Sequence, residues 1–376
     1  MGSQSKGKQE TALVEILIIS AVTIAGFALQ FVIGPLDFGI LVFPVNLILG
    51  VFLLLPVIFK LPKPVRKFGS GKVSVILLAI VTIMAIYMGL VPGNDVKHSW
   101  PFAFIYLMCM VNLAIAIGKR VRSFRIKKDY GFMLNHIGLL LLLFAAGPGS
   151  ADMKRWFMTV AEGTTEWRGE RSGTTEPVEL PVAITLLDFK MDEYPPKIAI
   201  VDKVTGESQP VKRPAFVEAT GGETGVISGW RVSVDSFDYR PMMAPVAAIS
   251  AERISDGKIL KGKVSCGNHF QQFMILDIDE RYCFAMTYPE PERFSSQVEV
   301  FSKDGREKGG IIEVNSPLNI GSWKIYQYSY DTSKGRDSQI SVFELVHDPW
   351  LLPAYAGIAM VMLGSVTLLF RGGKRE

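Results

Sequence analysis

Six apolar runs, each near the length needed to cross a bilayer, constrain this chain more than any other feature. They are Leu13–Ile33, Phe38–Phe59, Val73–Val91, Phe102–Gly118, Tyr130–Gly149 and Pro349–Phe370. A spanning helix takes about 20 mostly apolar residues, because in hydrocarbon every backbone N–H and C=O must find its partner within the segment. The 49% hydrophobic content of the 376 residues averages over these runs and one long polar stretch between the fifth and the sixth. The first run is too long for the core of a signal peptide, and no small-residue cleavage site follows it, so it reads as a retained span. Its one carboxylate, Glu15, lies near its end, within reach of the headgroups.

Basic residues orient the spans. The linker after the second run holds Lys60, Lys63, Arg66, Lys67 and Lys72, and the linker after the fourth holds Lys119, Arg120, Arg122, Arg125, Lys127 and Lys128. Arg371, Lys374 and Arg375 follow the last run, whereas the connections Gly34–Asp37 and Pro92–Trp100 carry Lys97 alone. The positive-inside rule puts the basic linkers and both termini in the cytoplasm. Six spans then leave the polar stretch outside. The expected domains are a five-helix membrane region over 1–150, an extracytoplasmic all-β domain over 151–348, and a sixth helix with a cytoplasmic tail over 349–376. The net charge of +4 reflects the linkers and gives no reason to expect nucleic acid as a partner.

The polar stretch reads as β. Segments starting at Val182, Lys197, Trp230, Gln272, Gln297, Ile311 and Trp323 are short, partly alternating and rich in β-branched and aromatic residues. Turn-forming residues separate them, among them Gly221-Gly222, Asp304-Gly305 and Gly321-Ser322. This rhythm favours a sandwich or a partly open barrel.

Several chemistries are missing from the sequence. It has no Gly-rich phosphate loop, no GxSxG elbow, no HExxH helix and no Cys-x-x-Cys-His, and no grouping of carboxylates or serines singles out catalytic residues. Cys109 reads as packing in the fourth run. Cys266 and Cys283 stand in the outer stretch, and spacing leaves open whether they form a disulfide. Cys266-Gly-Asn-His269 has metal-like spacing, but no second pair completes a site. Attention therefore falls on the histidines. His98 precedes the fourth run and His347 precedes the sixth, where interfacial residues are common. His136 differs, because with Asn135 it lies inside the fifth run, YGFMLNHIGLLLLLFAAGPG. Ionisable groups within a span are costly and mark functional sites by default. Neutral imidazole is also a common ligand of metals, haem iron included. The plain alternative is a histidine hydrogen-bonded to a neighbouring helix.

Four stretches resemble the ResB/CcsB-like family of system II cytochrome c biogenesis. Asn135–Leu143 resembles the family's histidine-bearing span before its large outer domain. Asn315–Asp331, with the core Trp323-Lys-Ile-Tyr-Gln327, resembles its strand pair and is the most specific of the four. Val346-His-Asp-Pro-Trp350 is similar to the approach to its last span, and Leu180–Lys197 to the start of its outer domain in Bacteroidetes-like forms. Together they cover about residues 130 to 370.

The resemblance implies a multi-pass protein of the bacterial inner membrane and a non-autonomous subunit of a holocytochrome c synthase, or haem lyase. Such a subunit helps bind and export haem b and presents it to apocytochrome c for thioether attachment. It implies that His136 ligates haem iron within the membrane. His136 lies six residues past Tyr130, about 9 Å along a helix axis and so in the cytoplasmic half. Asn135 is a candidate support, and His98 and His347 are weaker candidates to which no family role attaches. The implied partners are a CcsA-like protein bearing a tryptophan-rich WWD segment, the apocytochrome and a thioredoxin-like thiol reductase. No WWD cluster occurs here, so the partner is expected to supply it, with a second axial ligand. Gly138, Ala145, Ala146 and Gly147 are expected to let a partner helix approach. The hairpin Leu13–Phe59 is extra relative to many members. Two other readings stand beside this one: a structural subunit whose β domain docks apocytochrome or a reductase without binding haem, and an outer-face sensor or adhesion domain on an unusual anchor.

Overall fold

The structure, a computed structural model, describes residues 2–171, 174 and 176–372, and for residues 2–14, 127, 371 and 372 it describes the backbone alone. Lys374, Arg375 and the side chains of Lys127 and Arg371, used above for orientation, lie outside the described residues. The chain divides into a helical unit, residues 1–154 with 348–376, and a β unit, residues 155–347.

The helical unit contains α1 (Gly2–Ile33), α2 (Val45–Ile58), α3 (Lys63–Phe68), α4 (Gly71–Leu90), α5 (Trp100–Val121), α6 (Ile126–Ala146) and α7 (Leu351–Gly372). Among the described residues, five helices are long and apolar enough to cross a membrane: α1, α4, α5, α6 and α7. The predicted second span, Phe38–Phe59, is not one helix. A 3₁₀ turn, Phe38–Leu41, is capped by the Asp37 carboxylate, which accepts from Gly39 N at 2.8 Å, and α2 starts only after Pro44. Proline has no N–H to donate and blocks the preceding helical turn, so the run splits there. The remaining 14 residues of α2 rise only about 21 Å.

α5 is the central helix. More than half of its apolar window, 56%, is buried, and it packs against α1, α2, α4 and α6. Ser99 and Ser70 cap α5 and α4 by accepting from the backbone N–H of Phe102 and Val73. Asn112 of α5 is buried and fully used: its Oδ1 accepts from Ser74 at 2.8 Å and its Nδ2 donates to the Phe68 carbonyl at 2.6 Å. Near the other end of the unit, Asp152 accepts three hydrogen bonds, from Phe43 N, Asn46 Nδ2 and Trp350 Nε1, at 2.8, 2.6 and 2.8 Å. Asp348 caps the approach to α7 by accepting from Trp350 N at 2.9 Å. The Asp348-Pro-Trp350 motif is thus accounted for by one cap and one indole anchor.

α6 and α7 cross at glycines. A Cβ on Gly138 would stand 2.7 Å from Met360 Cβ and 2.8 Å from the Gly357 carbonyl, and one on Gly364 would stand 2.6 Å from Asn135 N. Backbones this close are how helices associate where no hydrophobic drive separates them from lipid. The small residues expected to receive a foreign helix are therefore mostly occupied within this chain. Gly138 meets α7, Gly147 lies under the Tyr106 ring, and Ala145 is buried. Ala146 alone of the four is exposed.

The β unit holds two cores. Eight antiparallel strands form one sheet in the order Glu307–Glu313, Pro291–Ser302, Pro177–Glu193, Thr165–Arg171, Lys154–Ala161, Ile340–His347, Trp323–Tyr330 and Leu318–Ile320. Its two edges are consecutive in sequence and meet at a bridge between Glu313 and Ser316, so the sheet curls toward a barrel. Alternate residues face inward, as the two-residue period of a strand requires. Val298 pairs with Leu186 and Val300 with Ile184, all 0% exposed beside Phe343 and Ile325. Inside this core a polar knot is fully satisfied: Ser296 Oγ donates to Gln327 Oε1 at 2.7 Å, Ser341 Oγ lies 2.6 Å from Ser296 Oγ, and Gln327 Nε2 donates to the Ser329 carbonyl at 3.1 Å. Two smaller sheets of four strands each enclose the second core around Trp230, Ile249 and Phe284. The stretch is β as expected, built of one eight-stranded and two four-stranded sheets.

Asp202, the last residue of the strand Lys197–Asp202, is 1% exposed and accepts from Arg281 Nε at 2.8 Å and from Val204 N at 2.9 Å. The guanidinium, first, and the backbone N–H groups hold its carboxyl below the usual carboxylate range. A depressed folded-state pKa gives stability that is full above the unfolded value of about 3.9 and is lost as pH falls through that value and the folded one. Full-length protein in detergent should therefore unfold at progressively lower temperature below about pH 4, and Asp202→Asn should flatten that dependence. A variant with the wild-type acid slope would show that Asp202 is not the sensor.

Candidate functional site

His136 lies on α6, one turn after Phe132 and on the same face. Its ring stacks on the Phe132 ring with centroids 3.7 Å apart and planes inclined by 24°. Nδ1 lies 2.9 Å from the Phe132 carbonyl oxygen. A carbonyl only accepts, so in the neutral ring the proton sits on Nδ1 and the lone pair on Nε2. Nε2 has no hydrogen-bond partner among the described residues, and the side chain is only half-buried. A hydrogen bond from the other ring nitrogen to a backbone carbonyl is a common way to fix the tautomer and orientation of a ligating imidazole.

The face continues toward the start of α6. The Arg120 guanidinium stands over the Phe132 ring, 5.6 Å from its centroid. Arg120 is anchored by buried Asp129, Nε to Oδ1 at 2.8 Å, and Asp129 also accepts from Arg125 N at 2.7 Å. Half of the Arg120 side chain, 49%, remains exposed. The arrangement is thus a neutral imidazole, an aromatic shelf and a tethered cation in one line. Asp129 and Phe132 are not among the residues read from the sequence, and Arg120 figures there only as a linker charge that orients the spans. The i−4 spacing of Phe132 to His136 was a usable signal, whereas the return of Arg120 from α5 needed the fold.

The other candidates do not join this site. Asn135 points away to α7, donating from Nδ2 to Ser365 Oγ at 2.9 Å, so its amide serves helix packing. His98 is half-buried, pairs with Asp95 at 2.5 Å and meets the edge of the Phe38 ring. His347 ends the strand Ile340–His347, opposite Trp323, whose ring centroid lies 5.3 Å away. Its Nδ1 is buried with no partner among the described residues. His269 is exposed on a loop while Cys266 is buried, and among the described residues no group of three metal-ligating side chains gathers. Cys266 and Cys283 are free, buried thiols. Burial pushes the Cys266 thiol up to about 11 and raises that of Cys283 as well.

The Trp323–Gln327 stretch has a structural explanation. Ile325 fills the curled sheet, Gln327 ties its polar knot, and Trp323 packs against the core edge beside His347. Among curated proteins no sequence matches this chain. One solved structure, "Cytochrome c Heme Lyase CcmF", is similar at TM-score 0.26 and 11% identity over 86% of this chain and 38% of that one, so this chain spans well under half of its length. The family model of the ResB-like family matches residues 279–339, which include the strand Trp323–Tyr330. Over those residues the chain is similar to the ResB-like family, in agreement with the resemblance carried by Trp323–Gln327.

Proposed function

We propose that this chain is a haem-handling subunit of a system II cytochrome c synthase, which helps bind haem b, export it and present it to apocytochrome c. The carrying observation is that the Phe132 carbonyl holds the His136 proton on Nδ1 and leaves Nε2 open on a helix long enough to span. The residues present fit a haem, whose iron His136 Nε2 would hold. A neutral imidazole adds no charge to a low-dielectric site, the Phe132 ring offers an aromatic surface, and Arg120 offers a cation for a propionate. When bound, haem supplies the iron and the vinyl groups that the cysteines of the client attack. This chain orients the imidazole, keeps its proton away from Nε2 and neutralises acid charge.

A CcsA-like partner would supply a second ligand to the iron and the tryptophan-rich platform. Expressed alone, the chain should hold little haem, and co-expression with that partner should raise the haem Soret band of the purified material at least tenfold. An isolated chain that converts apocytochrome to its holo form would overturn the two-subunit reading.

The proposed setting is the bacterial inner membrane with both termini cytoplasmic and the β unit outside, facing apocytochrome and a thioredoxin-like thiol reductase. This orientation needs α2 and its 3₁₀ turn to complete one crossing. A membrane-impermeant thiol reagent should label a cysteine placed at Asp304 in intact cells but not one placed at Lys127. The reverse pattern would invert the orientation.

One observation favours a second reading. The family match lies wholly in the β unit, whereas His136 belongs to the helical unit. In that reading the β unit docks apocytochrome or the reductase, and the chain binds no haem. The spectrum of the complex separates the two.

A further inference from the structure

We propose that the helical unit holds one aminophospholipid, of the phosphatidylethanolamine class, in the cleft between α1, α3 and α5. This site is separate from the His136 face and does not rest on the reading above. The cleft has a volume of about 1060 Å³ and is predominantly apolar, walled by Ile18, Val22 and Ala25 of α1 and by Phe104, Leu107 and Val111 of α5. Three charged groups line it as well: Glu15, Lys63 and Lys67.

Those charges fit a zwitterionic headgroup. Lys63 and Lys67 are exposed on the six-residue helix α3, and neither pairs with a carboxylate among the described side chains. Two ammonium groups at the mouth of an apolar cleft match a phosphodiester, the lysines acting as point charges. Glu15 is only 8% exposed, and its one hydrogen bond among the described residues is a long contact of 3.5 Å from Ser70 Oγ. Among the described side chains Glu15 forms no ion pair, and the nearby Lys119 ammonium donates to the Gly69 carbonyl at 2.7 Å. A buried carboxylate with so little compensation is costly. A ligand ammonium beside Glu15 relieves that cost by a charge-assisted hydrogen bond. The acyl chain then lies along the apolar wall. An anionic lipid without an amine satisfies the lysines and leaves Glu15 unmatched.

The test uses the full chain, purified in mild detergent and exchanged into mixed vesicles of phosphatidylethanolamine and phosphatidylglycerol. Native mass spectrometry reads the headgroup retained. Wild type should retain one phosphatidylethanolamine in about tenfold preference, the value of one charge-assisted hydrogen bond. Glu15→Gln should keep a bound phospholipid and lose the preference. Lys63→Gln with Lys67→Gln, both exposed and tolerant of change, should lose retention of either lipid. Equal retention by wild type, preference for phosphatidylglycerol, or no retained lipid each overturns the proposal, and none of these readings depends on haem.

Discussion

His136→Ala should strip haem from the complex with the CcsA-like partner, lowering haem per complex by at least tenfold while the amount of complex in the membrane is unchanged. On the proposed reading the variant lacks the imidazole that would hold the iron, a ring that the Phe132 carbonyl and phenyl fix in tautomer and orientation. The cavity left by the ring admits free imidazole, so millimolar imidazole should restore part of the Soret absorbance. Phe132→Ala is a finer probe. It keeps the carbonyl and the ligand but removes the aromatic shelf and the surface under Arg120, so it should lower retention less and shift the spectrum without abolishing it. Wild-type haem content in His136→Ala would end the ligand reading and leave the docking reading in place.

Phe343→Ala should unfold the β unit at moderate denaturant. Phe343 is 0% exposed in the core of the curled sheet, with Ile325, Leu345 and Val298 in the same cluster. Removing a buried phenyl ring costs about 3–5 kcal/mol, the lost transfer energy plus the cavity left behind. That is a large share of the stability of an ordinary domain, about 5–15 kcal/mol. Urea titration of the full chain in detergent, followed by proteolysis at β-unit sites, should show the midpoint fall sharply. Phe343→Leu should fall by about a third of that, since volume is nearly kept. A loss below about 1 kcal/mol for Phe343→Ala would mean that the curled sheet is not one cooperative core.

Much of the architecture was legible in the chain itself. Length and hydropathy alone marked α1, α4, α5, α6 and α7, since a continuous apolar run of such length has few other stable fates. The strands at Val182, Lys197, Trp230, Gln297, Ile311 and Trp323 were read from alternation and β-branched content. Others escaped. Thr165–Arg171 carries four charged residues in seven, and Val246–Arg253 is rich in alanine, so neither shows a period of two. Their partners across the sheet decide that they are strands, as is general where packing overrides propensity. The predicted strand from Gln272 shrank to Leu276–Asp277. The second apolar run is not one helix for a reason visible in the chain: Pro44 stands inside it and splits it.

The site divides along the same line. That His136 is unusual follows from sequence alone, because the cost of a polar group in hydrocarbon depends only on its being in a span. What His136 presents depends on the fold. Its tautomer comes from a carbonyl one turn away, which any helix provides, but the cation beside it comes from Arg120 on a different helix, held by Asp129 nine residues later in the chain. Likewise the glycines of α6 were legible as a close-packing face, while only the tertiary structure decided that α7 of the same chain fills it. Local hydrogen bonding and hydrophobic period are properties of neighbouring residues and are written in the sequence. Which surfaces remain open for a partner is decided only after the chain has satisfied itself, since each apolar or small-residue face is buried by whichever helix reaches it at the least entropic cost.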